Sequence, residues 1–306
     1  MRWASSRGVS CSVDLDTGEV GTAQSIKRRV AEPEANQKEY LIGAKTGLGP
    51  KFFASAQRPT KLSPKPETRR KEVKCIEGLL PIKDVMISEL FDGDLLTFLK
   101  EGRLNLYDKM ARHDLFVQVL DQVTAYNAKK LVHRDVKLEN ILLRHAPHRP
   151  SGVELVLGDA GFATPAYENH KFGGSPVYFS PEGYREWMRR LTVYSHATPF
   201  HDAWSAGIVL LIMHHVAQIN TSFSQSTDLL RKFHTVRNAS SYEVIAFYRD
   251  ELLTHQGDHW VLVPLNHNTD EYIISQLLHI NTTDRWTTAQ AAIHLRTIMS
   301  GAVSSC

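Results

Sequence analysis

The sequence predicts an α+β protein with a small strand-rich first part and a larger helical second part. Segments 9–15 and 21–29 carry β-branched and alternating residues around the turn signal at 16–18, which predicts two strands. Apolar residues recur three and four positions apart in segment 114–129, which predicts a helix. Segment 203–216 is apolar on almost every side, as expected of a helix buried inside a globular unit.

The remaining elements follow from similar signals. Segment 32–45 predicts a helix, because two glycines and a proline after it would end one. Further strands are expected at 51–56 and 84–90, and closing helices at 273–278 and 287–299. Between the strands lies a basic insert, 57–74, rich in Pro, Lys and Arg, which reads as a solvated loop, a docking patch or a nuclear address. We therefore expect two domains, 1–90 and 91–306.

Bulk composition narrows the class of protein. The chain has 306 residues, and its net charge of +3 does not indicate a nucleic-acid partner. No apolar run is long enough to cross a membrane, and no signal peptide is visible. The three cysteines show no pairing pattern, so an intracellular location in the cytoplasm or nucleus is expected. The oligomeric state is not indicated.

The segment LVHRDVKLENILL at 131–143 places five polar residues at fixed spacing between apolar flanks. It resembles the catalytic loop of protein kinases, H-R-D-x-K-x-x-N. The resemblance implies that Asp135 is the catalytic base, that Lys137 contacts the transferred phosphate, and that Asn140 is a ligand of Mg²⁺. Lysine at position 137 is the form found in serine/threonine kinases.

Four more motifs follow in the order of that family: GDAG at 158–161, GSPVYFSPE at 174–182, DAWSAG at 202–207 and DRWT at 284–287. The resemblance implies that Asp159 holds Mg²⁺, that Asp202 steadies the catalytic loop, and that Arg285 pairs with Glu182. Alanine at 160 departs from the usual phenylalanine.

The ordered set implies a bilobal eukaryotic-type serine/threonine protein kinase, with a small β-rich N-lobe and a larger helical C-lobe. Such an enzyme uses ATP and Mg²⁺ to phosphorylate protein substrates. The compressed, divergent first lobe is also similar to that of virus-encoded kinases.

The first lobe matches the family less well. The counterpart of the glycine-rich phosphate loop is GVSCSV at 8–13, which keeps Gly8 and Val13. The resemblance implies that Lys27 anchors the α- and β-phosphates and that Glu39 holds this lysine. A second alignment, counted from the turn at 17–19, would place the lysine position on Gln24. An ordinary strand-turn-strand with two solvated charges is the competing interpretation.

The segment MISELFDGD at 86–94 resembles the strand and hinge that bind adenine. Backbone groups of Glu89 and Phe91 would then face the base, and Asp94 would reach the ribose. Asp94 and Glu139 are also candidates for recognising basic residues near the acceptor of a protein substrate. Both are equally well interpreted as solvated charges.

Three expectations remain open at this point. The thin glycine loop and Ala160 favour a pseudokinase that only binds partners or nucleotide. Segment 47–55 faintly resembles small-molecule phosphotransferases of the choline or aminoglycoside type. Arg134 ordinarily receives a phosphate from the activation segment, and Glu168 is expected to supply a fixed negative charge instead.

Overall fold

A computed structural model describes residues 24–27, 33–57, 84–170, 173–188, 195–219 and 269–301. The chain divides into two compact units, residues 1–91 and residues 92–306, and each is described here by itself. The predicted strand at 9–15, the turns at 16–19 and most of the basic insert lie outside the described residues.

Within the described residues, the first unit contains one antiparallel sheet and one helix. Its strands are β1 (Gln24–Lys27), β2 (Phe52–Gln57) and β3 (Asp84–Glu89), with β3 in the centre. Helix α1 (Pro33–Thr46) precedes β2 and packs against β2 and β3. The helix ends at Gly47, whose φ of 69° is left-handed and suits a residue without a side chain. The helix predicted at 32–45 is confirmed.

The described part of the second unit contains a three-stranded antiparallel sheet and two small strand pairs. The sheet consists of β4 (Gly93–Asp94), β6 (Ile141–His145) and β7 (Val153–Leu157), in the order β4-β6-β7. Strand β5 (Leu131–Val132) pairs with β8 (Thr164–Pro165). Strand β9 (Asn169–His170) pairs with β10 (Ser195–His196). The loops after β5 and β7 carry the predicted catalytic and metal motifs.

The described part of the second unit also contains six helices. They are α2 (Leu95–Lys100), α3 (Lys109–Ala128), α4 (Pro181–Met188), α5 (Pro199–Ile219), α6 (Asp270–Leu277) and α7 (Thr288–Met299). Helix α3 begins five residues before the apolar pattern does, because the Asp108 side chain accepts a hydrogen bond from the Ala111 amide at 2.9 Å and caps it. A capping box between Thr287 and Gln290 starts α7.

Helix α5 is the centre of the second unit. Its residues from Ala203 to Met213 are buried, including the large side chain of Trp204. Helices α3 and α6 both pack against it. A β-carbon at Gly207 would lie 2.8 Å from Leu278, so glycine permits the close approach of the chain around α6. The buried central helix predicted from the apolar run is confirmed, and it extends several residues further at each end.

Candidate active site

The catalytic loop between β5 and β6 is held through its backbone by a carboxylate of helix α5. Asp202 accepts hydrogen bonds from the amides of His133 at 2.7 Å and Arg134 at 2.8 Å. Arg134 has a positive φ of 69°, a conformation that costs energy for a side-chain-bearing residue. Burial raises the pKa of Asp202 to about 6, although the two backbone bonds oppose that shift. The predicted steadying role of Asp202 is confirmed.

The Asp135 carboxylate is held in place by two neighbours from its own loop. Its Oδ2 accepts from the Lys137 ammonium at 2.8 Å and from the Asn140 amide at 2.9 Å. The side chain is only 3% exposed, so the charge of Lys137 compensates a carboxylate that water scarcely reaches. The other oxygen, Oδ1, is buried and has no hydrogen-bond partner. The loop therefore presents one unused carboxylate oxygen.

Asn140 is oriented so that its amide nitrogen is the engaged atom. The nitrogen donates to the Asp135 carbonyl at 2.8 Å and to its carboxylate, which leaves the amide oxygen as the atom able to bind a cation. The backbone of Asn140 also accepts from the Gly158 amide at 2.8 Å, which joins the catalytic loop to the residue before Asp159.

Asp159 lies two residues after the end of strand β7 and adopts left-handed backbone angles, φ 60° and ψ 55°. An aspartate carboxylate and an asparagine carbonyl are hard oxygen donors, and Mg²⁺ takes one or two protein oxygens alongside phosphate oxygens. The pair Asn140 and Asp159 fits that donor set. Across the part of the chain that the structure describes, no group of three or more His, Cys, Asp or Glu could form a self-contained metal site.

His133 lies beneath the site as a neutral imidazole. It is fully buried, and burial lowers its pKa to about 4 against the opposing charges of Asp135 and Asp159. Its Nδ1 accepts from the Asp135 amide at 3.3 Å, and its Nε2 faces the Gly158 carbonyl at 3.1 Å. Since a carbonyl can only accept, the proton resides on Nε2.

Ser175 is a site residue whose role the sequence analysis missed. The Lys137 ammonium donates to its hydroxyl at 2.8 Å, so Lys137 joins Ser175 to Asp135. The preceding Gly174 has a φ of +114°, and a β-carbon there would lie 2.3 Å from the Arg134 carbonyl. The segment can approach the catalytic loop only because residue 174 is glycine. The sequence did contain a signal for this role, because Ser175 directly follows Gly174 in the segment GSPVYFSPE.

Arg285 and Glu182 form a two-pronged ion pair at 2.7 and 3.0 Å, as predicted. Arg285 also donates to the carbonyls of His279, Ile280 and Phe200. Burial alone would raise the pKa of Glu182, but the bonds and charge of Arg285 outweigh it and hold that pKa below its ordinary value. This pair connects the start of α4 to the loop before α7.

Glu168 does not supply the fixed negative charge that was expected of it near Arg134. Its side chain is 63% exposed and lies 3.8 Å from His170. Burial lowers the pKa of Arg134, and the negative charges that oppose this come from Asp202 and Glu186. The fixed negative charge near Arg134 is therefore supplied by helices α4 and α5.

The predicted ATP residues of the first unit are only partly described. Gly8 and Val13 lie outside the described residues. Lys27 is the last residue of β1 and pairs in register with Met86 of β3. Glu39 lies in α1 and is 2% exposed, which is rare for a glutamate without a partner group. The pairing of Lys27 with Glu39 stays a prediction.

The hinge residues take local structural roles. The Glu89 amide donates to the Lys51 carbonyl at 2.9 Å, and its carboxylate accepts from the Lys51 amide at 2.9 Å. Phe91 is the last residue of the first unit. Both carboxylate oxygens of Asp94 bind Thr97, at 2.8 and 2.9 Å, and cap helix α2. The predicted contacts of these residues with adenine and ribose stay predictions.

Within the described residues, no helix has the length and apolar character needed to span a membrane.

Several known protein kinases are similar to part of this chain. NUAK family SNF1-like kinase 2 of Homo sapiens is 29% identical over 163 residues, 48% of this chain and 24% of the relative. Serine/threonine-protein kinase KIN4 of Saccharomyces cerevisiae is 30% identical over 150 residues, 44% of this chain and 17% of the relative. The interferon-induced, double-stranded RNA-activated protein kinase of Rattus norvegicus is 30% identical over 144 residues, 45% of this chain and 25% of the relative.

These matches span no more than a quarter of the relatives' length. The family model described as protein kinase domain matches residues 80–295, most of the chain. This match confirms the predicted α+β, bilobal fold class and the resemblance to serine/threonine kinases. The chain belongs to the protein kinase family.

Proposed function

We propose that this protein transfers the γ-phosphoryl group of ATP to serine or threonine hydroxyls of protein substrates. The observation that carries the proposal is the Asp135 carboxylate. One of its oxygens is fixed by Lys137 and Asn140, and the other is buried without a partner. A carboxylate oxygen left without a bond is costly unless a ligand completes it, and an acceptor hydroxyl is the ligand that fits.

Each residue of the site has a distinct role in this mechanism. Asp135 Oδ1 accepts the hydrogen bond of the incoming hydroxyl, orients its oxygen toward the phosphorus and takes its proton. The Lys137 ammonium is placed beside the same carboxylate, where it offsets the charge of the transferred group. Asn140 and Asp159 would hold Mg²⁺, which when bound neutralises phosphate charge.

Ser175 supports a serine/threonine acceptor. Its hydroxyl already bonds Lys137 at 2.8 Å, so the segment that would lie beside the substrate is joined to the base through one ammonium group. The same ammonium bonds Asp135, so a shift of the segment would also disturb the base. Basic residues near the acceptor are a further part of the proposal, for which the exposed Glu139 is the candidate contact.

The test is ATP turnover with Mg²⁺ and a generic protein substrate. Asp135→Asn keeps a side-chain oxygen that can accept both hydrogen bonds made at Oδ2, but it removes the base. We expect the rate to fall about 10²–10⁴-fold. Glu154→Gln is the matched control, because it neutralises a half-exposed carboxylate paired with Arg144 at 2.8 Å. Equal rates in the Asp135 variant and the wild type would exclude the assignment.

The alternative, a pseudokinase scaffold, also has a specific observation behind it. The family match begins at residue 80, so the predicted phosphate-binding residues Gly8, Val13, Lys27 and Glu39 fall outside it. Ala160 is buried where the family has phenylalanine. Nucleotide binding measured by calorimetry, together with the turnover assay, separates the two functions, because a scaffold would bind a nucleotide or a partner without any turnover.

A further inference from the structure

The last residue of strand β7 is held from helix α3. The Leu157 amide donates to the Gln122 side-chain carbonyl at 3.1 Å. The Leu157 carbonyl accepts from the Tyr126 hydroxyl at 3.5 Å, and Tyr126 lies one helical turn after Gln122. Both backbone polar groups of Leu157, two residues before Asp159, therefore have side-chain partners on helix α3.

The next residue, Gly158, is held by the catalytic loop. Its amide donates to the Asn140 carbonyl at 2.8 Å, and its carbonyl accepts from His133 Nε2 at 3.1 Å. The Tyr126 ring meets the His133 ring edge-on at 5.0 Å. The helix and the catalytic loop therefore contact each other where they hold this stretch.

Asp159 itself adopts a left-handed conformation, with φ 60° and ψ 55°. Such a conformation is unfavourable for a residue with a side chain and persists where its surroundings enforce it. The four backbone bonds at Leu157 and Gly158 are those surroundings, because they fix the chain direction just before Asp159. The direction of the chain sets the direction of the carboxylate.

We propose that Gln122 is a positioning residue for the Asp159 carboxylate, acting through the Leu157 amide. The inference rests on the proposed function, in which Asp159 holds Mg²⁺. It adds a residue outside every motif of the sequence, on a different element from the site. A glutamine suits the position, because its side-chain oxygen reaches a backbone amide that no strand among the described residues occupies.

Gln118 provides a matched control on the same helix. It lies one turn before Gln122, and its side chain accepts from the Leu155 amide at 2.9 Å. It also donates to the Val153 carbonyl at 3.1 Å and to Asp114 at 2.9 Å. Gln118 therefore makes the same kind of bond to the same strand, but two residues further from Asp159 and away from the catalytic loop.

The experiment compares Gln122→Met with Gln118→Met in the full chain. Mg²⁺ is titrated by calorimetry into protein saturated with a non-hydrolysable ATP analogue, so the readout does not require turnover. We expect Gln122→Met to weaken Mg²⁺ binding about 10-fold or more, the size seen when residues that orient metal ligands are removed. Gln118→Met should change Mg²⁺ binding less than about 2-fold, because Gln118 holds the strand two residues further from the metal ligand.

A conservative variant separates positioning from general stability. Gln122→Glu keeps an oxygen that accepts from the Leu157 amide, so its Mg²⁺ affinity should stay near that of the wild type. Similar losses in Gln122→Met and Gln118→Met would overturn the proposal, because both would then reflect loosening of the strand. Similar losses in Gln122→Met and Gln122→Glu would also overturn it.

Asp159→Asn distinguishes failure of this inference from failure of the proposed function. If Asp159→Asn abolishes Mg²⁺ binding and Gln122→Met does not weaken it, only the positioning role fails. If Asp159→Asn leaves Mg²⁺ binding unchanged, both proposals fail.

Amide hydrogen exchange in the wild-type protein provides a measurement that needs no variant. Addition of Mg²⁺ and the ATP analogue should slow exchange of the Leu157 amide more than that of Leu155. Equal slowing at the two amides would contradict a specific link between Gln122 and the metal ligand.

Discussion

The functions proposed for the two units of the chain depend on different kinds of chemical group. In the second unit the proposed chemistry belongs to particular side chains, such as the carboxylate of Asp135 and the amide of Asn140. In the first unit phosphate contacts are expected mainly from backbone N–H groups, which almost every residue type carries. The family match covers most of the second unit but only residues 80–91 of the first.

This difference shows where a sequence can be interpreted chemically. A site made of side chains restricts residue types at fixed spacing, so its motif persists in the sequence. A site made of backbone restricts only conformation, and glycine is its main trace. The candidate loop at 8–13 keeps a single glycine, so its residues alone carry little of the expected signal.

The largest expected effect lies in the second unit, at the ion pair of Arg285 and Glu182. Arg285 itself is fully buried, so Arg285→Met leaves the 27% exposed carboxylate of Glu182 without its partner and three carbonyls without a donor. We expect a loss of about 3–5 kcal/mol in the free energy of unfolding, the usual result of breaking a buried pair. Denaturant unfolding of the full chain measures it.

Arg144→Met is the comparison for that change. Arg144 pairs with Glu154 at 2.8 Å, but the two side chains are 37% and 42% exposed. Water screens such a pair, so the loss should stay below about 1 kcal/mol. Equal losses in the two variants would show that the Arg285–Glu182 pair stabilises the fold no more than the exposed Arg144–Glu154 pair does.

The next prediction concerns the first unit. We expect Lys27→Met to lower turnover about 10²-fold, because the α- and β-phosphates lose a cation that is placed for them. Gln24→Ala should matter little. Residues three apart in a strand belong to opposite faces, so only one of the two positions can serve.

Initial rates with saturating Mg²⁺ measure both variants. A large effect at Gln24 with none at Lys27 would show that the alignment counted from Val13 is wrong and that the opposite face of β1 carries the phosphate contact. Full activity in both variants would mean that the lysine comes from elsewhere in the chain, whereas absence of turnover in the wild type itself would favour the pseudokinase.

The smallest expected effect lies in a buried charge cluster between helices α3, α5 and α6. His214 lies 3.0 Å from Glu271 and 3.4 Å from Asp270. Asp270 also binds Arg112 at 2.7 Å and His113 at 2.6 Å. Burial alone would lower the pKa of His214, but the bonds and charges of Asp270 and Glu271 outweigh it and raise that pKa to about 9.

A raised pKa means that the folded protein holds the His214 proton more tightly than the unfolded chain does. This contribution is complete below about pH 6.5 and is lost as the pH rises through about 9. We expect the free energy of unfolding to fall by up to about 3 kcal/mol between these values. The slope should vanish in His214→Gln and persist in the exposed control His148→Gln.

Much of the fold was predictable because apolar spacing and end signals act locally. Helix α1 lies within one residue of its predicted bounds, because glycine at 47 ends it in a way no other residue does easily. The start of α3 was missed because its first turn is set by the Asp108 cap rather than by apolar residues.

The site was predictable where one side chain meets one motif partner, as with Asp202 and the catalytic loop. It was not predictable where a partner comes from an unrelated element. Gln122 contacts a strand 35 residues away, and nothing in its neighbourhood marks it. The role expected of Glu168 was wrong for the same reason. Its place in the activation segment suggested a charge near Arg134, but that charge comes from the helix residues Asp202 and Glu186.

The glutamines of α3 have one more consequence, for the behaviour of the protein at high concentration. Strand β7 is the outermost strand of its sheet, and its amides at 155 and 157 point away from β6. Exposed amides in such a row are a template on which a strand of another chain can add. Because Gln118 and Gln122 occupy them, this border of the sheet is closed to intermolecular pairing, and aggregation seeded there would first require α3 to detach.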